Sequence, residues 1–192
     1  MSFPGDAAAM ASPLLDEPED AETTSLLRLI AAGGSSAARG SLVERFGSAA
    51  RAVAAGPGAW REAGWSEEHV SALSATGAPA SAIAWLREPA HHLIGWHQDD
   101  YPPLLRRAPN PPLALFVAGD PASLWQPSVA VVGSRGPTPA GRDNARDFAR
   151  ALAASGLTVT SGLAAGIDTA AHPGTLHAGG STVGVLGSGP HV

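Results

Sequence analysis

The sequence predicts an α/β fold: a parallel sheet with crossover helices, preceded by a small all-α domain. Two observations carry the sheet. Glycine-rich turns at Gly133–Gly136 and Gly162–Gly166 each follow a short β-branched run and precede a helix-like stretch. They stand about 29 residues apart, and a third turn, Leu186–Gly189, follows about 25 residues later, which is the spacing of βαβ units. A third observation carries the helical domain: short apolar-periodic stretches alternate with glycine turns over residues 23–88.

Taken in order, residues 1–22 are acidic, rich in Pro and Ala and aperiodic, and read as a disordered tail. In 23–88, Thr24 or Ser25 caps a helix carrying Leu26, Leu27, Leu29 and Ile30, ended by Gly33 and Gly34. Ser41–Phe46 is a second helix, stopped near Gly47. Ser48 caps a third through Ala55, closed by Gly56, Pro57 and Gly58. Trp60–Ala63 is short. Ser66 with Glu67 and Glu68 opens a helix through Ala75, and Pro79–Glu88 makes the last. Residues 89–128, punctuated by five prolines from Pro102 to Pro112, read as a structured connector lying on the next domain. His92–Gly95 and Leu113–Val117 are its strand candidates. From residue 129 to 192 the strands are Val129–Val132, Leu157–Ser161 and Thr182–Leu186. The helices between them run from Pro139 to Ser155 and from Ile167 onward. Strands covered on both faces need not alternate.

Composition narrows the chemistry. There is no cysteine, which excludes disulfides, thiolate zinc sites and a thiol nucleophile. The first residues show no signal-peptide pattern, and no stretch approaches a membrane span, so the expected location is cytoplasmic. The net charge of −5 is unevenly spread: six acids and no arginine lie in the first 22 residues. All basic charge is arginine, which binds phosphate bidentately and stacks on bases; GC-rich coding also produces such a composition.

The turns exclude several familiar sites. Without lysine there is no Walker loop, and Gly133-Ser-Arg-Gly136 is G-x-x-G, not the dinucleotide G-x-G-x-x-G. What remains is Gly133 for a tight turn, Ser134 as a hydroxyl and Arg135 as a cation at the sheet's rim. A plain strand-to-helix turn with an exposed arginine fits the same residues. The second turn sets Ser161, Gly162 and Gly166 beside Asp168 and His172, an i,i+4 pair that reads as a capping carboxylate with a satisfied histidine. Neither Ser161 nor Ser188 sits in the G-x-S-x-G nucleophile elbow. His172 and His177 fall on different helix faces, and His91, His92 and His97 lack further ligands, so no metal is expected. Arg142, Arg146 and Arg150 form an i,i+4,i+8 stripe, with Asp143 and Asp147 placed to pair with the last two; Phe148, Ala149 and Leu152 mark that helix's apolar side. Arg142 opens the helix nearest the first turn.

These residues together resemble the DNA-processing protein A family, also called Smf. The resemblance rests on Val132–Arg135 with Thr138, Gly141 and Arg142, then Ser161–Ala164 with Gly166–Asp168, Ala171 and His172, then Val185–Gly187 with Gly189. Tyr101, Pro102, Leu105, Pro111, Pro112, Phe116 and Gly119 are similar to the family's segment before its nucleotide-binding-like domain. Phe46, Gly47 and Ser48 lie in a part that resembles its sterile-alpha-motif-like N-terminal domain. The likeness covers residues 24–192. It implies a Rossmann-like domain, no enzymatic activity and no cofactor. It also implies single-stranded-DNA binding that protects incoming DNA and loads RecA in natural transformation, with homodimers in the full-length family. The DNA backbone would follow Gly133, Ser134, Arg135, Ser161, Gly162, Gly166, Asp168 and His172, to which the residue-level reading adds Arg142.

Two departures stand against the family pattern. Pro173 and Gly174 occupy a helix expected to be continuous, where proline kinks and glycine weakens. The family's sheet is expected to continue past Val192, so the chain reads as a fragment, a frameshifted frame or a partial gene model. The alternatives are a Rossmann-like nucleotide-processing enzyme of the phosphoribohydrolase kind, whose Pro-Gly-Gly-x-Gly-Thr run is absent here, and a non-functional truncated remnant.

Overall fold

A computed structural model describes residues 18–75 and 77–187. Most of the expected tail therefore lies outside the described residues. Its end does not stay a tail: helix α1 runs over Pro18–Ala31, starting before the expected boundary at residue 23. Glu22 explains why. Its carboxylate accepts the backbone N–H groups of Ala49 (2.6 Å) and Ala50 (2.8 Å), and stands 2.7 Å from His97 Nε2. An acid read as solvated thus satisfies the unpaired N–H groups at a helix start.

Five more helices follow: α2 (Ser36–Phe46), α3 (Ala49–Ala54), α4 (Gly56–Glu62), α5 (Glu67–Ala75) and α6 (Ala80–Leu86). Ser35 and Ser48 cap α2 and α3 by accepting the N–H groups of Ala38 and Arg51. Gly47, at φ +76°, ends α2 in the left-handed conformation that glycine adopts without strain. Leu26, Leu29, Leu42, Val43, Trp60, Val70 and Leu73 form the core, with the Trp60 indole donating to the Ala52 carbonyl at 2.8 Å.

The proline-rich connector belongs to this helical unit. The chain divides at Val117/Ala118, not at the expected 88/89 and 128/129. Strand β1 (His91–Gly95), the short helix α7 (Pro103–Arg106) and strand β2 (Ala114–Ala118) follow in order, with β1 beside β2. Leu93, Leu113 and Ala114 pack on the helical core. Tyr101 is fully buried and its hydroxyl donates to the Pro112 carbonyl at 2.9 Å; burial pushes its pKa up to about 12, against an opposing pull from Arg106. The prolines that suggested a connector instead fix a segment that closes the helical core.

The second unit, from Ala118, is a βαβαβ ladder. After a 3-10 turn at Pro121–Trp125 come β3 (Ser128–Ala130), α8 (Pro139–Ala154), β4 (Thr158–Ser161), α9 (Ile167–His177) and β5 (Thr182–Gly184). The strands are parallel in the order β3-β4-β5, with Val129 opposite Val159 and Thr160 opposite Val183. This is the expected Rossmann-like arrangement. The Ser188 and Gly189 part of the third turn lies outside the described residues.

The helix pair α8/α9 departs from expectation in an instructive way. Ala145, Ala149 and Ala153 are buried on α8, whereas Phe148 is 70% exposed, so small residues and not the aromatic form its inner face. On α9, a Cβ at Gly174 would run into the carbonyl oxygen of Arg146 and stand 3.0 Å from its Cα. Gly174 is therefore what lets the two backbones approach, and the helix does not end at Pro173. Pro173 and Thr169, whose carbonyl loses its helical donor, both lie on the exposed side of α9.

Candidate nucleic-acid interface

The two glycine turns leave the same ends of neighbouring parallel strands, because β3 and β4 pair in register and Val131 N–H donates to the Thr160 carbonyl at 2.9 Å. They then interlock. A Cβ on Gly133 would stand 2.7 Å from Ile167 Cγ1. Gly166, at φ +98°, sits on the first turn: a Cβ there would run into the Ser134 carbonyl oxygen and lie 2.9 Å from Arg135 Cα. Ile167 N–H donates to that same Ser134 carbonyl at 3.1 Å. Gly166 is thus required by backbone-to-backbone approach between the turns, and Gly133 by the Ile167 side chain seated against it.

This packing leaves Ser134 and Arg135 on the outside. Ser134 Oγ accepts Gly136 N–H at 3.1 Å, which bends the turn and keeps the hydroxyl proton available. Thr138 caps α8 by accepting Gly141 N–H at 3.1 Å, and Pro139 stands in the first helical turn. The 16 residues of α8 aim their dipole's positive end at the rim.

Charge collects beside this point. Arg135 and Arg142 are exposed, and neither has an ion pair among the described residues. Arg146 pairs with Asp143 at 2.9 Å and Arg150 with Asp147 at 3.5 Å, as their i,i+3 spacing suggested. An open cleft of about 370 Å³ runs between the start of α8 and the second turn. Arg142, Arg146, Ala165, Gly166, Thr169, Ala170 and Pro173 line it. Sequence reasoning gave Arg146 only a local pairing role and did not single out Thr169. The i,i+4 spacing of Arg142 and Arg146 was the available signal for the first, and nothing local marked the second.

The polar groups around the second turn point inward. Ser161 is 2% exposed and its hydroxyl donates to the Val131 carbonyl at 2.7 Å, tying β4 beneath the first turn. Gly162 N–H is already committed to Asp168 Oδ2 at 3.1 Å, and Asp168 is 6% exposed. His172 is also buried. Thr182 gives its proton to the Val159 carbonyl, so its oxygen accepts from His172 Nδ1 at 2.7 Å, which fixes the proton on Nδ1. Burial lowers the His172 pKa, with Asp168 partly opposing. Of the expected site residues, the structure brings Gly133, Ser134, Arg135, Arg142 and Gly166 to one surface. It places Ser161, Asp168 and His172 underneath and spends the Gly162 amide internally. An Asp carboxylate at a turn amide takes the place an anion would otherwise fill.

No group of His, Asp and Glu among the described residues is arranged to hold a metal ion. No helix among them is long and apolar enough to cross a membrane.

Residues 92–192 match the sequence profile of the DNA recombination-mediator protein A family. Protein Smf of Escherichia coli is 44% identical over 109 residues, covering 57% of this chain and 29% of that protein. The DNA processing protein DprA of Streptococcus pneumoniae is 42% identical over 91 residues, covering 47% of this chain and 32% of that protein. The X-ray structure of DprA from Streptococcus pneumoniae superposes with a TM-score of 0.71 at 25% identity, over 88% of this chain and 59% of that one. The chain thus spans under two thirds of the length of each of these proteins.

Proposed function

The chain belongs to the DNA recombination-mediator protein A family, and from that premise we propose that it binds single-stranded DNA by the backbone, at the rim formed by Arg135, Ser134, Arg142 and the start of α8. The observation that carries this reading is the interlock of the two glycine turns, which sets two exposed arginines, with no ion pair among the described residues, beside a helix N-terminus and an open cleft. Guanidinium groups grip phosphate oxygens bidentately, and the dipole of α8 adds to their field. A phosphate backbone is common to every sequence, so a grip on it is indifferent to sequence. The reading is non-enzymatic: Ser161 spends its hydroxyl on a carbonyl, and Asp168 and His172 are buried and turned to structural bonds. Family membership extends the proposal to protection of incoming DNA in natural transformation, to RecA as partner, to a homodimer and to a cytoplasmic setting.

Titrating labelled poly-dT with the chain at two salt concentrations tests the reading. Binding that weakens as salt rises, with a shallow slope because few arginines take part, is the expected result. A folded chain that does not bind poly-dT overturns it. Release of ribose 5-phosphate from a nucleoside monophosphate would point to the phosphoribohydrolase-like alternative instead.

A further inference from the structure

Beyond Arg142, the next cation along α8 is Arg146. Both line the open cleft that begins at the second turn and reaches Pro173 of α9. The two arginines are four residues apart, so they lie about 6 Å apart along one face of the helix. Successive phosphates of an extended single strand are spaced on that order. From the opposite side Ala165, Gly166, Ala170 and Pro173 line the cleft and bring no polar side chain to it. The Thr169 hydroxyl donates to the Ala164 carbonyl at 2.6 Å, and Asp168, the only acid of α9, is turned inward onto Gly162. Two guanidinium groups line the cleft, and no described carboxylate does.

The ion pair of Arg146 is a loose one. Arg146 gives a single hydrogen bond to Asp143, Nη1 to Oδ1 at 2.9 Å, whereas Arg61 grips Glu67 through both Nε and Nη2. The pair is also open to solvent, with 42% of the Arg146 side chain and 65% of that of Asp143 exposed. An exposed, singly bonded pair contributes little, and a phosphate offering two oxygens replaces it. Arg150 and Asp147 repeat the pair one turn on, but Arg150 does not line the cleft. We propose that a strand held at Arg135 and Arg142 continues into this cleft, where Arg146 takes the next phosphate and Asp143 is the counterion that this phosphate displaces. The proposal rests on the DNA reading above and adds to it a path, a third cation and a built-in competitor. Removing the competitor therefore strengthens binding, whereas removing Arg146 weakens it.

Titrating labelled poly-dT with the full chain over a range of salt concentrations tests the proposal. Arg146→Ala should weaken binding, with a slope of log K against log salt shallower by about 0.7, the value of one contact to a single strand. Alanine is the best helix former, so the melting temperature should stay close to that of the parent chain. Asp143→Asn should tighten binding about threefold at an unchanged slope. Asp147→Asn removes the same charge one turn further on and should stay within about 1.5-fold of the parent chain, because a charge outside the cleft is screened. In the Arg146→Ala background the gain from Asp143→Asn should shrink to the level of Asp147→Asn. A parent chain that binds while Arg146→Ala keeps its affinity and slope overturns this proposal and leaves the grip by Arg135 and Arg142 standing. Equal gains from Asp143→Asn and Asp147→Asn, or a gain from Asp143→Asn that survives undiminished in Arg146→Ala, also overturn it. A folded parent chain that does not bind overturns both readings.

Discussion

Gly166→Ala is the sharpest perturbation of the interlocked turns. Two costs add. Alanine at φ +98° incurs left-handed strain of about 1–2 kcal/mol. Its methyl group would also run into the Ser134 carbonyl oxygen and press on Arg135, and relieving such overpacking costs about 1–3 kcal/mol. Together they come to about 3 kcal/mol. In a unit of this size that lowers the melting temperature by roughly 12–24 °C. Calorimetry reads the melt, and amide exchange at Ile167 reads the joint itself, because that N–H donates across the turns to Ser134. Gly136→Ala is the matched control: no atom lies within 4 Å of its Cβ position, and a change within about 0.5 kcal/mol is expected. Unchanged melting and unchanged Ile167 protection in Gly166→Ala would refute the interlock.

Three further outcomes follow from the same geometry. Gly174→Ala should separate α8 from α9 and cost about 1–3 kcal/mol, read as a calorimetric shift in the second unit; no shift would mean the backbones are not in close contact. Tyr101→Phe should lose about 1 kcal/mol by denaturant titration, since it removes only the bond to the Pro112 carbonyl. His172 is held neutral, its pKa lowered by burial from the ordinary 6.5. The unfolded chain therefore takes the proton first as pH falls through about 6.5, so this group's stabilising effect is full above that value and declines below it. His172→Gln should flatten the melting-temperature profile on the acid side; a profile parallel to that of the parent chain would count against the buried-neutral assignment.

The sheet and its turns were legible because β-branched runs, glycine and helix caps are local signals, and here local and global preferences agree. The tail boundary was misplaced because Glu22 reads as one more surface acid until α3 presents its N–H groups from a distant part of the sequence. The same holds for the connector, whose prolines mark irregular backbone but not the core it packs against. Asp168 and His172 were visible as an i,i+4 pair. Their direction was not, since it depends on Gly162 and Thr182 arriving from other elements. Gly174 looked like a weakness in a helix and is a close-approach residue, a distinction that only the partner backbone of Arg146 makes.

We propose a DNA-backbone grip by Arg135 and Arg142 at the interlocked turns. Its most direct test is the salt dependence of poly-dT binding for the parent chain and for the Arg135→Ala/Arg142→Ala double variant. Each lost phosphate contact lowers the slope of log K against log salt by about 0.7 for a single strand, so the double variant should bind more weakly with a slope shallower by about 1.4. Arg150→Ala, whose cation is paired with Asp147, should leave the slope unchanged. A double variant with the slope and affinity of the parent chain would rule out phosphate binding by these two arginines.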